Sequence, residues 1–293
     1  MITLKNRPSD KTRFYQWQDK VFKYFALCCT LIGLFVLALL LYNILSVGLH
    51  RLDWNFLNST SSQRASNAGI KSAMVGTVYI ALYTSLFALP IGISAAIYLE
   101  EYAGKNKFTN FLEVNIANLA GVPSVIYGLL GLEVFSRIMM LKNSILTGSL
   151  TLALLILPII IVSTREALKS VPYSLREASY ALGASKWQTI WHQVLPASSG
   201  GIFTGIILAL SRAIGETAPL IVIGAVVFIK TVPNSIMDKF TVLPIQIFHW
   251  ISQPQKAFAA NAAAGIIVLL LITFLLNGIA VYLRYRWQKK IKW

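Results

Sequence analysis

Charge is what this 293-residue chain has least of. Only 13% of its residues are Asp, Glu, Lys or Arg, about half the share of an ordinary soluble domain. A chain so poor in charge cannot cover its surface in water. Acidic residues are the scarcer kind, 11 against 26 basic, for a net charge of +15. Cysteine is nearly absent: Cys28 and Cys29 are adjacent. Neighbours on a helix do not easily bridge each other, so a disulfide framework is excluded and both read as small hydrophobes. The three histidines, His50, His192 and His249, lie far apart. No His/Cys/Asp/Glu cluster has the spacing of metal ligands, so no metal site is expected. No G-x-x-x-x-G-K-[ST] loop exists to cradle a nucleotide, and the chain is expected to bind no cofactor of its own. No catalytic residue is assigned, because no nucleophile stands beside an activating base.

What the chain has instead is hydrophobic residues, 56% of the total, gathered in blocks. A helix crossing the hydrocarbon core needs about 20 apolar residues. Six segments meet that length, roughly 24–47, 72–99, 114–136, 143–164, 198–229 and 261–283. Lipid offers backbone groups no partners, so such segments must be helices or strands of a closed barrel. Barrel strands would be about 10 residues of alternating polarity; these runs are long and continuous, so the fold class is an all-α integral membrane protein with six transmembrane helices. The first span reads as a retained helix, not a signal peptide: its apolar core is long, a polar tail precedes it and no small-x-small site follows.

The expected organisation is a cytoplasmic N-terminal tail over 1–23, a first transmembrane helix over 24–47, an external loop over 48–71, a transmembrane core over 72–283 and a basic cytoplasmic tail over 284–293. The positive charge is distributed along this plan. With the N-terminus inside, seventeen basic residues fall in inner segments, Lys105 and Lys107 among them, and eight in outer loops. That bias sets both termini in the cytoplasm and accounts for the charge as a topology signal rather than a nucleic-acid footprint. The outer stretch SSQRASN reads as flexible. Pro90 should kink the second span. GVPSVIYGLLGL, with Pro123, Gly121, Gly128 and Gly131, permits close helix approach or local unwinding. The last outer segment contains FTVLPIQIFHWIS, too short to span, and reads as interfacial or re-entrant with Phe248 and Trp250 at headgroup depth.

Between Ser163 and Pro196 runs STREALKSVPYSLREASYALGASKWQTIWHQVLP. Pro172 suits a first helical turn. Leu175, Ala178, Ser179 and Leu182 make a small apolar face, Gly183 a C-terminal stop, and Ser185 a cap for a second helix. In that helix Trp187, Ile190, Trp191 and Val194 recur at i, i+3, i+4 and i+7. Periodicity alone leaves two readings open, a face docking on another protein and a face lying on the membrane. The residue order adds a resemblance. Glu177-Ala178-Ser179, then Gly183, then Leu195-Pro196 resembles the EAA loop of ABC importer permeases, at about 165–196, with Ser179 for the second alanine and Gln193 where isoleucine is usual. The resemblance implies that this loop docks on an ATPase subunit.

SRAIGETAPL, from Ser211 to Leu220, sets Arg212 and Glu216 in an otherwise apolar run. At i, i+4 they would share a helix face. A charge at mid-bilayer costs about 2.5–3.5 kcal/mol on insertion scales and by default marks a pathway; a purely structural ion pair is the other reading. Gly201, Gly205, Ala209 and Ala213 form a ridge for close helix contact. RAIGETAPL, VPSVIYGLLGL, the EAA loop and LPIQIF together resemble PstA-type permeases of phosphate ABC importers, over roughly 70–285. The resemblance implies a type I ABC importer permease fold and a heterodimer with a second, PstC-like permease. It further implies two PstB-like ATPase subunits that use ATP, a PstS-like external binding protein, and residence in the bacterial inner membrane among its lipids. Arg212, Glu216 and Thr217 would lie on the substrate pathway, where a guanidinium fork can bind an oxyanion bidentately. Molybdate, sulfate or phosphonate would suit the same chemistry; an ion-driven secondary transporter would not need the EAA loop.

Overall fold

The structure, a computed structural model, describes residues 10–104, 106–225 and 228–288. Lys5, Arg7, Lys105, Lys289, Lys290 and Lys292, counted in the charge bias, lie outside the described residues. Every regular element among those described is helical. In chain order these are α1 (Asp10–Gly48), α2 (Trp54–Asn58), α3 (Lys71–Ile97), α4 (Lys107–Leu119), α5 (Ser124–Gly131) and α6 (Ile145–Lys169). There follow α7 (Tyr173–Ala181), α8 (Lys186–Thr189), α9 (Leu195–Gly215), α10 (Ala218–Ile223), α11 (Leu243–Ile251) and α12 (Ala257–Gln288). Wider, i→i+5 turns extend α3 over Tyr98–Tyr102, α5 over Leu132–Ile138 and α8 over Ile190–Val194.

Among the described residues, five helices are long and apolar enough to cross a membrane, and the bent pair α4 and α5 raises the number to six. The spans are not all as drawn from the sequence. The expected third span, 114–136, is broken: α4 and the helix from Ser124 to Ile138 meet at 103°. Pro123 explains the break. It lacks an N–H to donate back into α4 and holds the residue before it out of the helical region. The fifth span, expected over 198–229, also stops early, at Gly215. The tail assigned to 1–23 is helical from Asp10 onward, since no proline or glycine interrupts residues 10–23. At the other end α12 carries helix past the expected boundary at 284, to Gln288. Pro90 lies inside α3, which continues as helix to Ile97.

The core is a helical stack with α6 in the middle, packed between α3 and α9, while α12 closes on α9. Close approach is set by small residues. A Cβ on Gly205 would collide with the side chain of Ser163, and one on Gly201 would sit 2.6 Å from Ala167 Cβ. Ala209 and Ala213 are buried on the same side. The ridge read from the sequence therefore lies against α6 of the same chain. In contrast α1 is almost bare, touching α12 where Gly48 meets Ala263 and Ile267.

At the end of the stack away from the EAA-like loop, α2 and α11 form a lid. Phe56 and Trp250 pack with ring centroids 5.8 Å apart. Trp250 is thus turned into the core, not toward headgroups; Phe248, two residues before it, is exposed. The SSQRASN loop, expected to be flexible, is tied down. Arg51 donates to Asn261 Oδ1 and to the carbonyls of Ala65, Ser66 and Ala68.

Candidate functional site

The structure gathers the sequence-derived residues at two opposite ends of α9. At its C-terminal end Arg212 occupies the last helical turn, and Glu216 follows it in extended conformation, ψ 126°. The helix cannot run on, because Pro219 has no N–H and already sits in the first turn of α10. Arg212 and Glu216 therefore do not share a helix face, and the charges stand at the end of a span rather than its middle. Arg212 Nε lies 3.9 Å from Glu216 Oε2, with side chains 41% and 18% exposed. That separation is an ion pair without a hydrogen bond. Thr217 Oγ1 turns back to the carbonyl of Gly215 at 3.5 Å.

Neighbouring contacts hold this corner in place. Ser211 donates to Asn277 Oδ1 at 2.9 Å, fastening α9 to α12. Gly128 of α5 lies against Pro219 of α10, where a Cβ would be 2.7 Å from Pro219 Cα. Gly224, at φ +89°, ends α10 in the left-handed region. Thr204, Leu208, Arg212 and Gly215 are all exposed along one stripe of α9, beside the side packed on α6. The guanidinium thus sits on an open face with N–H donors available, among the described residues, to an anion or an apposed subunit. Its positive charge is also favoured by the carbonyl end of α9.

At the N-terminal end of α9 lies the EAA-like loop. Pro172 stands just before α7 rather than in its first turn, and makes no side-chain cap. Gly183, at φ +82°, stops it; Gly183 N–H donates to Tyr180 O at 2.9 Å and Ala184 N–H to Ser179 O at 3.2 Å. This paired 5→2 and 6→1 pattern needs a left-handed residue, which glycine supplies without strain. Ser185 and Gln188 then cap each other reciprocally at the start of α8. Ser179 and Thr189 share a hydroxyl hydrogen bond of 2.9 Å that pins α7 to α8. The projecting surface carries Glu177, Ala178 and Leu182, the last 89% exposed. Leu195 and Pro196, half-buried, lead into α9.

Two sequence expectations change here. Trp187, Ile190, Trp191 and Val194 do not form one face: Ile190 and Val194 are fully buried, whereas Trp187 and Trp191 are exposed and stacked 5.6 Å apart. The wide turn over Ile190–Val194 shifts the angular spacing that a regular helix would impose. The other change is an omission. Arg176, the residue before Glu177, is buried, with Nη2 2.6 Å from Glu101 Oε1. Arg165 pairs with Glu113 at 2.7 Å and Glu100 at 3.4 Å. The available signal was the placing of scarce acidic residues beside the ends of spans. Tyr180 borders this cluster, and its phenol is raised above the ordinary value by burial first and then by the Glu101 carboxylate.

Residues 88–289 match the family described as binding-protein-dependent transport system inner membrane component. The chain is similar to the probable ABC transporter permease protein YqgI of Bacillus subtilis, 31% identical over 264 residues, covering 85% of this chain and 90% of that protein. It is also similar to the phosphate transport system permease protein PstA of Yersinia pestis, 32% identical over 281 residues, 95% of this chain and 94% of that one. With PstA of Haemophilus influenzae the identity is 29% over 288 residues, 97% of this chain and 99% of that protein. Among solved structures, a bacterial ABC transporter involved in import of the acidic polysaccharide alginate superimposes with TM-score 0.66 at 14% identity, over 94% of this chain and 99% of that one. The MetNI methionine ABC transporter in inward facing conformation gives TM-score 0.60 at 17% identity, over 72% and 93%. At such identities these two show the fold.

Proposed function

This chain belongs to the family of binding-protein-dependent transport system inner membrane components, and on that premise we propose that it is the permease subunit that passes inorganic phosphate inward through an ABC importer. The observation that carries the reading is near-full-length similarity to PstA phosphate permeases. It is a multi-pass inner-membrane protein and a transport subunit. In this reading ATP is hydrolysed by two PstB-like subunits, phosphate is delivered by a PstS-like binding protein, and a PstC-like permease forms the other half of the pathway. Glu177, Ala178, Ser179, Gly183 and the exposed Leu182 form the surface that meets the ATPase, with both chain termini on that same cytoplasmic side.

Arg212 supplies the chemistry for the anion. Phosphate carries a charge of about −1.5 near neutral pH. A guanidinium stays charged in a low-dielectric passage and presents parallel donors to two oxygens. Glu216, nearby but not hydrogen-bonded, keeps the site from holding its cargo too tightly, because conduction needs release as well as entry.

The test is reconstitution of the four-component complex in liposomes with ATP inside and loaded binding protein outside. Labelled phosphate should accumulate, and excess sulfate or molybdate should compete poorly. ATP-driven uptake of another oxyanion without phosphate uptake would overturn the reading, as would uptake by this chain alone under an ion gradient.

A further inference from the structure

The surface of α7 that meets an ATPase must be attached to the membrane helices, and the attachment is unusual. Among the described residues of α7, the one buried side chain is not a hydrophobe but Arg176. Leu175 is half-buried, Ala178 and Leu182 are exposed. Arg176 is therefore the chief anchor, and it holds by directed bonds. Its Nη2 and Nε both reach Glu101 Oε1, at 2.6 and 3.2 Å. Its Nη1 donates to Val171 O at 2.9 Å, and Nη2 also to Leu168 O at 3.1 Å. Arg176 and Glu101 are 10% and 7% exposed. One side chain thus ties α7 to the inner ends of α3 and α6.

The link continues. Glu100 and Glu101 are adjacent on the wide turn that ends α3, and they face different helices. Glu101 takes Arg176, while Glu100 takes Arg165 of α6 at 3.4 Å. The same Arg165 Nη2 holds Glu113 of α4 at 2.7 Å. Five charged groups therefore join α7, α3, α6 and α4, and α4 is the first half of the bent third span. Burying such pairs contributes little net stability compared with apolar packing of equal volume. What they add over apolar contact is fixed orientation, since a guanidinium fork on a carboxylate cannot slide as two leucines can.

We propose that Arg176 is a positioning residue of transport. Through Glu101, and then Glu100–Arg165–Glu113, it makes α7 move as one body with the inner ends of α3 and α4, so that a displacement of the docking surface reaches the bent span. This rests on the reading of α7 as the ATPase-facing helix.

The experiment uses the reconstituted complex in a background free of Cys28 and Cys29. It compares the unmodified chain with Arg176→Lys, which keeps the charge but loses the fork, and with the paired Arg176→Leu/Glu101→Leu, which removes the buried charges together. Two quantities are read per assembled complex: phosphate moved per ATP hydrolysed, and the distance between spin labels on Ala181 of α7 and Phe108 of α4, with and without trapped nucleotide. Both variants are expected to retain ATP hydrolysis. The ratio should fall several-fold in Arg176→Lys and at least tenfold in the leucine pair. The label distance should stay constant between states in the unmodified chain and change in the variants. An assembled leucine pair with normal ratio and constant distance would overturn the proposal. If that pair does not assemble, an unchanged ratio and distance in Arg176→Lys overturn it equally. The label distance requires no knowledge of the transported anion, so failure of phosphate uptake in the unmodified complex would refute the phosphate reading and not this one.

Discussion

Arg212 and Glu216 are joined by an ion pair 3.9 Å long that forms across the end of a helix rather than along its face. The two readings of an intramembrane charge pair predict different behaviour of its variants. A dry pair would lose about 3–5 kcal/mol when one partner is removed. Here the pair is 3.9 Å long and carries no hydrogen bond, and the arginine is 41% exposed in the chain alone, so losing one partner leaves less uncompensated than in a short, dry pair. Arg212→Gln should therefore leave assembly intact and abolish phosphate uptake; Arg212→Lys should retain a fraction of it. The double variant Arg212→Gln/Glu216→Gln should assemble and remain inactive. Labelled-phosphate uptake normalised to assembled complex measures this, and near-normal uptake by the double variant would reduce Arg212 to a packing role.

Gly183 tests the turn of the docking loop. A Cβ there meets nothing within 4 Å, so space is no obstacle and strain alone acts. At φ +82° an L-residue costs about 1–2 kcal/mol. Gly183→Val should yield a membrane-inserted complex that loses the ATPase or hydrolyses ATP without transport. Gly183→Asn, which tolerates the left-handed region, should be much milder. Equal behaviour of the two would separate the loop from coupling.

Gly205 tests the opposite effect, space without strain. Any side chain there must displace Ser163 across the α6–α9 contact. Gly205→Leu should destabilise by about 1–3 kcal/mol, as overpacking does. Thermal unfolding of the complex in detergent should fall accordingly, whereas Gly33→Leu on the bare α1, where nothing lies within 4 Å, should change little.

Asp238 sits in the loop before α11, whose carbonyls take the first N–H groups of α6, Ile145 donating to Asp238 O and Leu146 to Ile236 O. The carboxylate accepts the Asn234 and Ser235 N–H groups, each at 2.9 Å, and these hold its pKa below the ordinary 3.8. A depressed carboxylate adds stability above its unfolded value, and that stability is lost as pH falls through the folded one. Asp238→Ala at neutral pH should speed amide exchange at Ile145 and Leu146, and the parent loop should loosen in the same way only in acid. Exchange unchanged by the substitution would show that the loop is held elsewhere.

Topology has its own check. Single cysteines at Gln63 and Ala181, both exposed, should label from opposite sides of the membrane when Cys28 and Cys29 are replaced. Labelling of both from outside would overturn the orientation and the docking assignment together.

Much of the fold was legible because its causes are local. Runs of about 20 apolar residues demand helices wherever water is absent. Gly183 and Ser185 announced the turn between α7 and α8 through backbone preferences that act within a few residues. The small residues from Gly201 to Ala213 announced a close contact through their spacing, although not which helix they meet.

What the order of residues determined, then, was membrane class, helical content, the loop with its turn, and the residues in which charge is scarce enough to matter. Tertiary structure decided where helices stop and which distant groups meet. Pro123 stood in a stretch read as permitting local unwinding, and the run through Pro219 was read as one span; a long apolar run is compatible with a kink or an end, and only packing of α5 on α10 and α6 selects the end. Trp250, placed at headgroup depth from the sequence, belongs to the core because Phe56 covers it. Arg176 and Glu101 lie 75 residues apart, far beyond any periodicity, so no local pattern couples them. Their pairing exists because the stack of α3 on α6 brings two helix ends together, and a buried charge there has no water to turn to and must find its opposite.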